Sequence, residues 1–325
     1  MTPLERALRD RIKTEGPMTV EAFMDACNAY YYATRDPLGR DGDFITAPEI
    51  SQMFGELIGA CLADCWARAG SPLNICYVEL GPGRGTLAAD ALRVMRSAGL
   101  RPDVHFVETS PLLRAAQGEA VPAATWHDDL GSLPEAPLLV VANEFLDALP
   151  IRQFVDGVER HVVAAAGGLA FDRDGEIVET SPARDQAVAD LASRLSKFGG
   201  AALIVDYGHE RSGTGDTLQA VHRHRYAPVL QDPGEQDLTA HVDFETVAQA
   251  AREAGAEASS VVTQGEWLGR LGIGPRARAL ASADPERADE IEAARARLCD
   301  SDQMGELFKA IAVHSPSWPR PAGFQ

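Results

Sequence analysis

Three glycines and two carboxylates, grouped around one turn, form the part of this chain best suited to hold a small-molecule ligand. Val78-Glu-Leu-Gly-Pro-Gly-Arg-Gly-Thr86 follows an apolar run and precedes a helical pattern from Leu87 to Met95. Glycine lets a ligand approach the backbone where a Cβ would collide. The helix N-terminus beyond it presents free amides. Dinucleotides and S-adenosylmethionine both use such a turn. A dinucleotide fingerprint reads GxGxxG, whereas here the glycines fall at Gly81, Gly83 and Gly85, with Pro82 between the first two. Glu79 stands two positions before Gly81. Glu108 ends the next apolar run, where a carboxylate can accept both ribose hydroxyls.

The E-x-G-x-G-x-G form resembles motif I of class I methyltransferases, which implies that Glu79 lies near the ammonium of the methionine moiety. Thr86 opens the helix that follows. After the third apolar run, His127-Asp-Asp129 supplies an acid where methyltransferases often hold the adenine amino group. Asp128 is the preferred candidate, and helix capping is an equal alternative. The fourth run, Val140-Val-Ala-Asn-Glu-Phe-Leu-Asp-Ala-Leu-Pro150, puts Asn143, Glu144 and Asp147 at the carboxyl end of a buried strand, the edge where open α/β sheets bind ligands. For Asn143 and Asp147 the alternative is capping of the next turn.

Several segments together resemble the MidA-like family, the group related to the mitochondrial complex I assembly arginine methyltransferase. They are Gly42-Asp-Phe-Ile-Thr-Ala-Pro-Glu-Ile-Ser51, the glycine turn, Asn143-Glu-Phe-Leu-Asp-Ala-Leu-Pro150, Val205-Asp-Tyr-Gly208, Asp237-Leu-Thr-Ala-His-Val-Asp-Phe244, Thr263-Gln-Gly265 and Met304-Gly-Glu-Leu-Phe-Lys309. The resemblance implies a class I fold and S-adenosylmethionine as methyl donor. For the mitochondrial member it implies symmetric dimethylation of an arginine in a complex I subunit. It also implies that the segment holding Thr46 and Glu49 closes over the cofactor. The chain departs from the family at Tyr30-Tyr-Tyr32, where a glycine is expected before the tyrosine pair. It also shows no two-glutamate loop of the kind that grips guanidinium in the major arginine methyltransferases.

For an arginine acceptor, Glu144 is expected to pair with the guanidinium and leave one nitrogen lone pair aimed at the methyl. Asp147 or Asp243 can assist, and His241 is a candidate to take the released proton, against the reading of His241 as a structural residue. Asp206 and Tyr207, ending the fifth strand, are expected on the acceptor side. Three other functions fit some of these residues: a small-molecule O- or N-methyltransferase, a dinucleotide oxidoreductase, and an assembly factor that binds cofactor without turnover.

The elements that position these residues are legible in the apolar spacing. Pro3 to Thr14 and Thr19 to Ala29 read as helices, and Tyr30 to Asp43 as a loop. Thr46-Ala-Pro-Glu49 reads as a capping box opening a helix with a buried stripe from Met53 to Trp66. Short apolar runs at 75–80, 104–108, 124–127, 138–143 and 201–207, alternating with helices, predict a doubly wound, mostly parallel α/β sheet of seven strands. The stretch 151–180 reads as an inserted β-meander, and 209–240 as loop-rich. Helices are expected from Phe244 to about 298, then a last strand from Phe308 to Val313. This divides the chain into a helical covering segment (1–70), a first half of the core (71–150), the insertion (151–198) and the remainder (199–325).

Composition narrows the partners. Thirty basic against forty-eight acidic side chains among 325 residues give a formal charge of -18. That field repels nucleic acid and anionic lipid and suits a basic or arginine-bearing protein segment, with simple solubility as the other reading that composition alone favours. Five cysteines without a CxxC pair argue against a disulfide framework or a metal site. The N-terminus lacks a signal-peptide pattern, no run approaches a membrane span, and a bacterial cytoplasm is expected. Oligomeric state is not legible.

Overall fold

A computed structural model describes residues 1–34 and 46–324. Seven strands lie in line in its central sheet: β1 (Cys76–Leu80), β2 (Asp103–Val107), β3 (Thr125–His127), β4 (Leu138–Asn143), β5 (Gly200–His209), β6 (Glu257–Ala258) and β7 (Phe308–His314). Their spatial order is β6-β7-β5-β4-β1-β2-β3. Strands β3, β2, β1, β4 and β5 are mutually parallel, and β7 runs antiparallel between β5 and β6. Two further short strands, Val242–Asp243 and Val262–Thr263, pair with β5 and β7, so the sheet has nine strands rather than the seven expected.

All five residues of β1 and the first five of β4 are buried, because helices cover both sheet faces. On one face pack α4 (Gln52–Arg68) and α5 (Thr86–Ser97), beside Trp267 and Leu298; on the other pack α7 (Pro182–Phe198) and α8 (Phe244–Glu253). The chain crosses to opposite faces from β1 and from β4. This leaves a crevice at their carboxyl ends, the position that open sheets offer a ligand.

A third apolar cluster covers that end. It joins α1 (Pro3–Glu15) and α2 (Val20–Thr34) to Ile151, Val162, Leu218 and Leu238 from the middle of the chain. Three sequence expectations change here. The second helix continues to Thr34, taking in Tyr30, Tyr31 and Tyr32, because Tyr31 is fully buried and the Tyr32 hydroxyl donates to Asp237 at 2.8 Å. The rest of that expected loop, and Gly42 to Ile45 of the family segment, lie outside the described residues. The 151–180 stretch is not one meander. Arg152–Val155, Val158–Glu159 and Ile177–Thr180 form one sheet, while the hairpin His161–Ala165/Gly168–Phe171 pairs with Met18–Thr19. Each hairpin finds its missing edge in a different neighbour. Within 209–240, Gln219–His222, Arg225–Ala227 and Asp237–Thr239 form a further small sheet.

Candidate active site

The crevice holds a cavity of about 570 Å³, within the range of pockets that take small ligands. One wall is the glycine turn, through Gly81 and Gly83; the expected Gly85 stands outside the lining, where a Cβ would meet Ala120 at 3.3 Å. Gly81, Gly83 and Gly85 all have positive φ, at 61°, 55° and 80°, a region that disfavours a Cβ. A Cβ on Gly81 would lie 3.2 Å from the Phe145 ring. Glu79, at the tip of β1, is 3% exposed and accepts from the Tyr77 hydroxyl at 2.9 Å. Burial pushes its carboxyl up to about 8.

Glu108 follows β2 and lines the same cavity. One of its oxygens accepts from the Ser110 amide at 2.8 Å and the other from Gln117 at 3.1 Å. Burial still raises its carboxyl above the usual range. Gln117, on α6 (Pro111–Ala120), also donates to the Gly83 carbonyl at 2.7 Å and so ties the turn to Glu108.

The third wall comes from β4. Glu144 has φ +51°, uncommon for a residue with a side chain. One carboxylate oxygen accepts from the Ala47 amide at 3.3 Å and from Asn143 Nδ2 at 3.1 Å. Burial, then the neighbouring Asp147, push the Glu144 carboxyl up to about 8. Asn143 Oδ1 is buried and has no hydrogen-bond partner among the described residues. A buried acceptor left without a donor costs free energy unless a ligand or water supplies one.

Thr46 and Glu49 both line the cavity, but the capping box does not form. The helix there is only α3 (Ala47–Ile50); Ser51 breaks it and caps α4 instead. The Glu49 carboxylate turns away from its own helix to accept from the Thr86 hydroxyl at 2.7 Å.

The other expected site residues stand outside the cavity lining. Asp128 is 81% exposed and pairs with Arg114 at 2.6 Å. Asp206 is fully buried behind the β4 loop, its Oδ2 accepting from the Leu146 and Asp147 amides at 3.0 and 3.2 Å. Asp147 is buried, its carboxyl raised by burial against the lowering contact of the Tyr207 hydroxyl. Tyr207 itself packs edge-on between His241 and Phe308. His241 lies there, not beside Glu144, and Asp243 caps α8 and accepts from Ser212 Oγ at 2.5 Å. Apart from exposed Asp128, these five residues are taken up by hydrogen bonding, ring packing and helix capping.

Polar residues that the sequence reading did not assign to the site also line it, among them Asp25, Asn28 and Tyr32 from α2, and Ser110. Their spacing of three and four along α2 is a helical face, but membership of the site depends on the helix folding back over the crevice. Asn28 enforces that fold, its Nδ2 donating to the Ala148 and Leu238 carbonyls at 2.9 and 2.8 Å. Ser110 adds a bond from its hydroxyl to the Tyr32 carbonyl at 2.8 Å. Among the described residues no His, Cys, Asp and Glu group is arranged to hold a metal ion.

A family described as S-adenosyl-L-methionine-dependent methyltransferase matches residues 57–172 and 159–262. The chain belongs to this family. It is similar to the Drosophila melanogaster protein arginine methyltransferase NDUFAF7 homolog, mitochondrial, at 37% identity over 95% of this chain and 84% of that one. The human protein arginine methyltransferase NDUFAF7, mitochondrial, is 33% identical over 96% of this chain and 83% of its own length. A crystal structure of a superfamily member from Burkholderia thailandensis bound to S-adenosylhomocysteine superposes with a TM-score of 0.86 and 28% identity. It covers 98% of this chain and 93% of that one. The chain is a class I, S-adenosylmethionine-dependent methyltransferase, and its cavity fits that cofactor: a turn without Cβ atoms at Gly81 and Gly83, carboxyl groups at two neighbouring strand tips, and an unmet buried acceptor.

Proposed function

We propose that this methyltransferase acts on an arginine side chain of a protein partner, a respiratory complex I subunit being the first candidate. The observation that carries it is Glu144, a carboxylate held at the carboxyl end of β4 in the same cavity as the glycine turn. The arginine methyltransferase names of the relatives support the same class of acceptor.

In this reading Glu79 takes the amino group of the cofactor, Glu108 its ribose, and the turn from Gly81 to Gly85 its methionine portion. Thr46 and Glu49 wall the site from above. When bound, S-adenosylmethionine supplies an electrophilic methyl on a sulfonium. Glu144 pairs with the guanidinium, localises its charge and holds the proton that leaves the nitrogen. No helix among the described residues is long and apolar enough to cross a membrane, and the charge of -18 favours a basic segment as partner. Comparing protein methylarginine by mass spectrometry in cells with and without the gene tests this. An arginine methylated only in the parent cells is expected; identical profiles would contradict it.

Two proton balances follow from the buried carboxyls. Glu79, held up at about 8, is mostly protonated at pH 7 in the free protein. A cofactor ammonium beside it favours the carboxylate, so binding is expected to release up to about one proton at pH 7. Calorimetry in buffers of different ionisation enthalpy reads that release, and Glu79→Gln should abolish it. Glu144 is also held up at about 8, while an arginine stays cationic throughout. Affinity for an arginine peptide is therefore expected to rise with pH from about 6 to about 8, by at most about tenfold per unit, and then level off. A flat profile in the wild-type protein removes Glu144 from acceptor binding.

A further inference from the structure

The loop that carries Glu144 is gripped from behind by a buried guanidinium. Arg184, in the first turn of α7, is 5% exposed. Its Nε donates to the Leu146 carbonyl at 2.7 Å and its Nη1 to the His241 carbonyl at 2.7 Å. Its Nη2 donates to the carbonyls of Asp147 and Ala240 at 3.1 and 2.9 Å. Four carbonyls from two chain segments are thus fanned around one rigid fork. The amides of the same residues are held from the other side. Asp206 Oδ2 accepts from Leu146 and Asp147, and the Ala240 amide donates to the Asp147 carbonyl at 3.1 Å. At the far end of the loop the Ser181 hydroxyl, which caps α7, donates to the Pro150 carbonyl at 2.7 Å.

A buried cation is costly unless its hydrogen bonds are met. A sequence that needed only packing here would place an apolar side chain on α7, as it does at Val188 and Leu191. Two of the four bonds go to the two residues that follow Glu144 and Phe145, and the other two hold Ala240 and His241 against them. Glu144 itself is in the left-handed region, a conformation that persists only where its surroundings over-determine it. Its amide donates to the Val205 carbonyl at 2.9 Å, which fixes the start of the loop; Arg184 and Asp206 fix what comes after.

We infer that Arg184 is a positioning residue for methyl transfer: by clamping the carbonyls of Leu146 and Asp147, it holds Glu144 in the backbone conformation that presents its carboxylate to the cavity. The inference rests on the reading of Glu144 as the acceptor's partner. Arg184 touches neither the cavity nor the glycine turn, so it separates positioning from cofactor binding.

Arg184→Lys keeps the charge, but one ammonium cannot reach four carbonyls spread over two segments. In the full-length variant the affinity for S-adenosylhomocysteine is expected to stay within about threefold of wild type, because the contacts are not shared. The rate constant for transfer to an arginine-bearing acceptor peptide should fall about 100-fold and KM for that peptide should rise, as expected for a displaced group that both holds and activates the acceptor. Amide exchange at Leu146 and Asp147 should accelerate at least about tenfold. In Arg184→Ala, millimolar methylguanidinium should restore slow exchange at the Leu146 and Asp147 amides and methylammonium should not. A wild-type rate constant in Arg184→Lys, or unchanged exchange at the two amides, overturns the inference. So does a loss of cofactor affinity in step with the rate. The exchange measurement needs no acceptor. If the wild-type protein methylates no arginine, the acceptor assignment fails by itself and exchange still decides the clamp.

Discussion

Gly83→Val is expected to bind S-adenosylhomocysteine at least about 100-fold more weakly than the wild-type protein while remaining folded. Gly83 lines the cavity with φ +55°, so the substitution puts a β-branched side chain into a conformation that such residues rarely adopt. Either the branched side chain occupies ligand space or the turn relaxes away from it, and both outcomes remove the cradle. Local strain of about 1–3 kcal/mol is small for a chain of this length, and the Tm should fall by only a few degrees. Calorimetric titration beside a thermal melt separates the two effects. Wild-type affinity in a folded Gly83→Val protein would detach the cofactor from this turn.

Glu144→Gln is expected to give the opposite pattern: cofactor affinity within about threefold of wild type and transfer reduced by about 10³-fold. Glutamine preserves shape and can still accept from the Ala47 amide, so the wall of the cavity should stand. What it loses is the negative charge that pairs with a guanidinium and the site that takes its proton. Single-turnover methyl transfer on the acceptor, with the variant saturated in cofactor, reads this directly. Transfer at the wild-type rate would assign the chemistry to another group, and Asp147, buried directly behind it, would be the first to examine.

The sheet was legible because its signal is strong and local. A parallel strand covered on both faces must be apolar along its whole length, so 138–143 is read from the sequence to the residue. The glycine turn was legible for a similar reason, since three glycines spaced by single residues serve little purpose except close backbone approach. What escaped reading depends on contacts far apart in the chain. Tyr32 looks like a loop residue until Asp237, 205 positions away, accepts its hydroxyl. Glu49 has the spacing of a capping box, yet Thr86 offers its carboxylate a charge-assisted bond across the crevice that a four-residue helix cannot match. Asp206, Tyr207, His241 and Asp243 sit at or just beyond the carboxyl end of β5, the right edge for a site. They stand outside the cavity lining because Asp206 is bonded to the loop amides, Tyr207 packs against His241 and Phe308, and Asp243 caps α8. Their sequence positions tell which edge they occupy, not whether they line the cavity.

The most direct measurement supplies S-adenosylmethionine labelled in its methyl group to extracts of cells lacking the gene, with purified wild-type or Glu144→Gln protein added back. Label recovered as methylarginine in a protein, with the wild type only, is the expected result. Label recovered in a small metabolite, or equally with both proteins, would contradict an arginine acceptor held by Glu144.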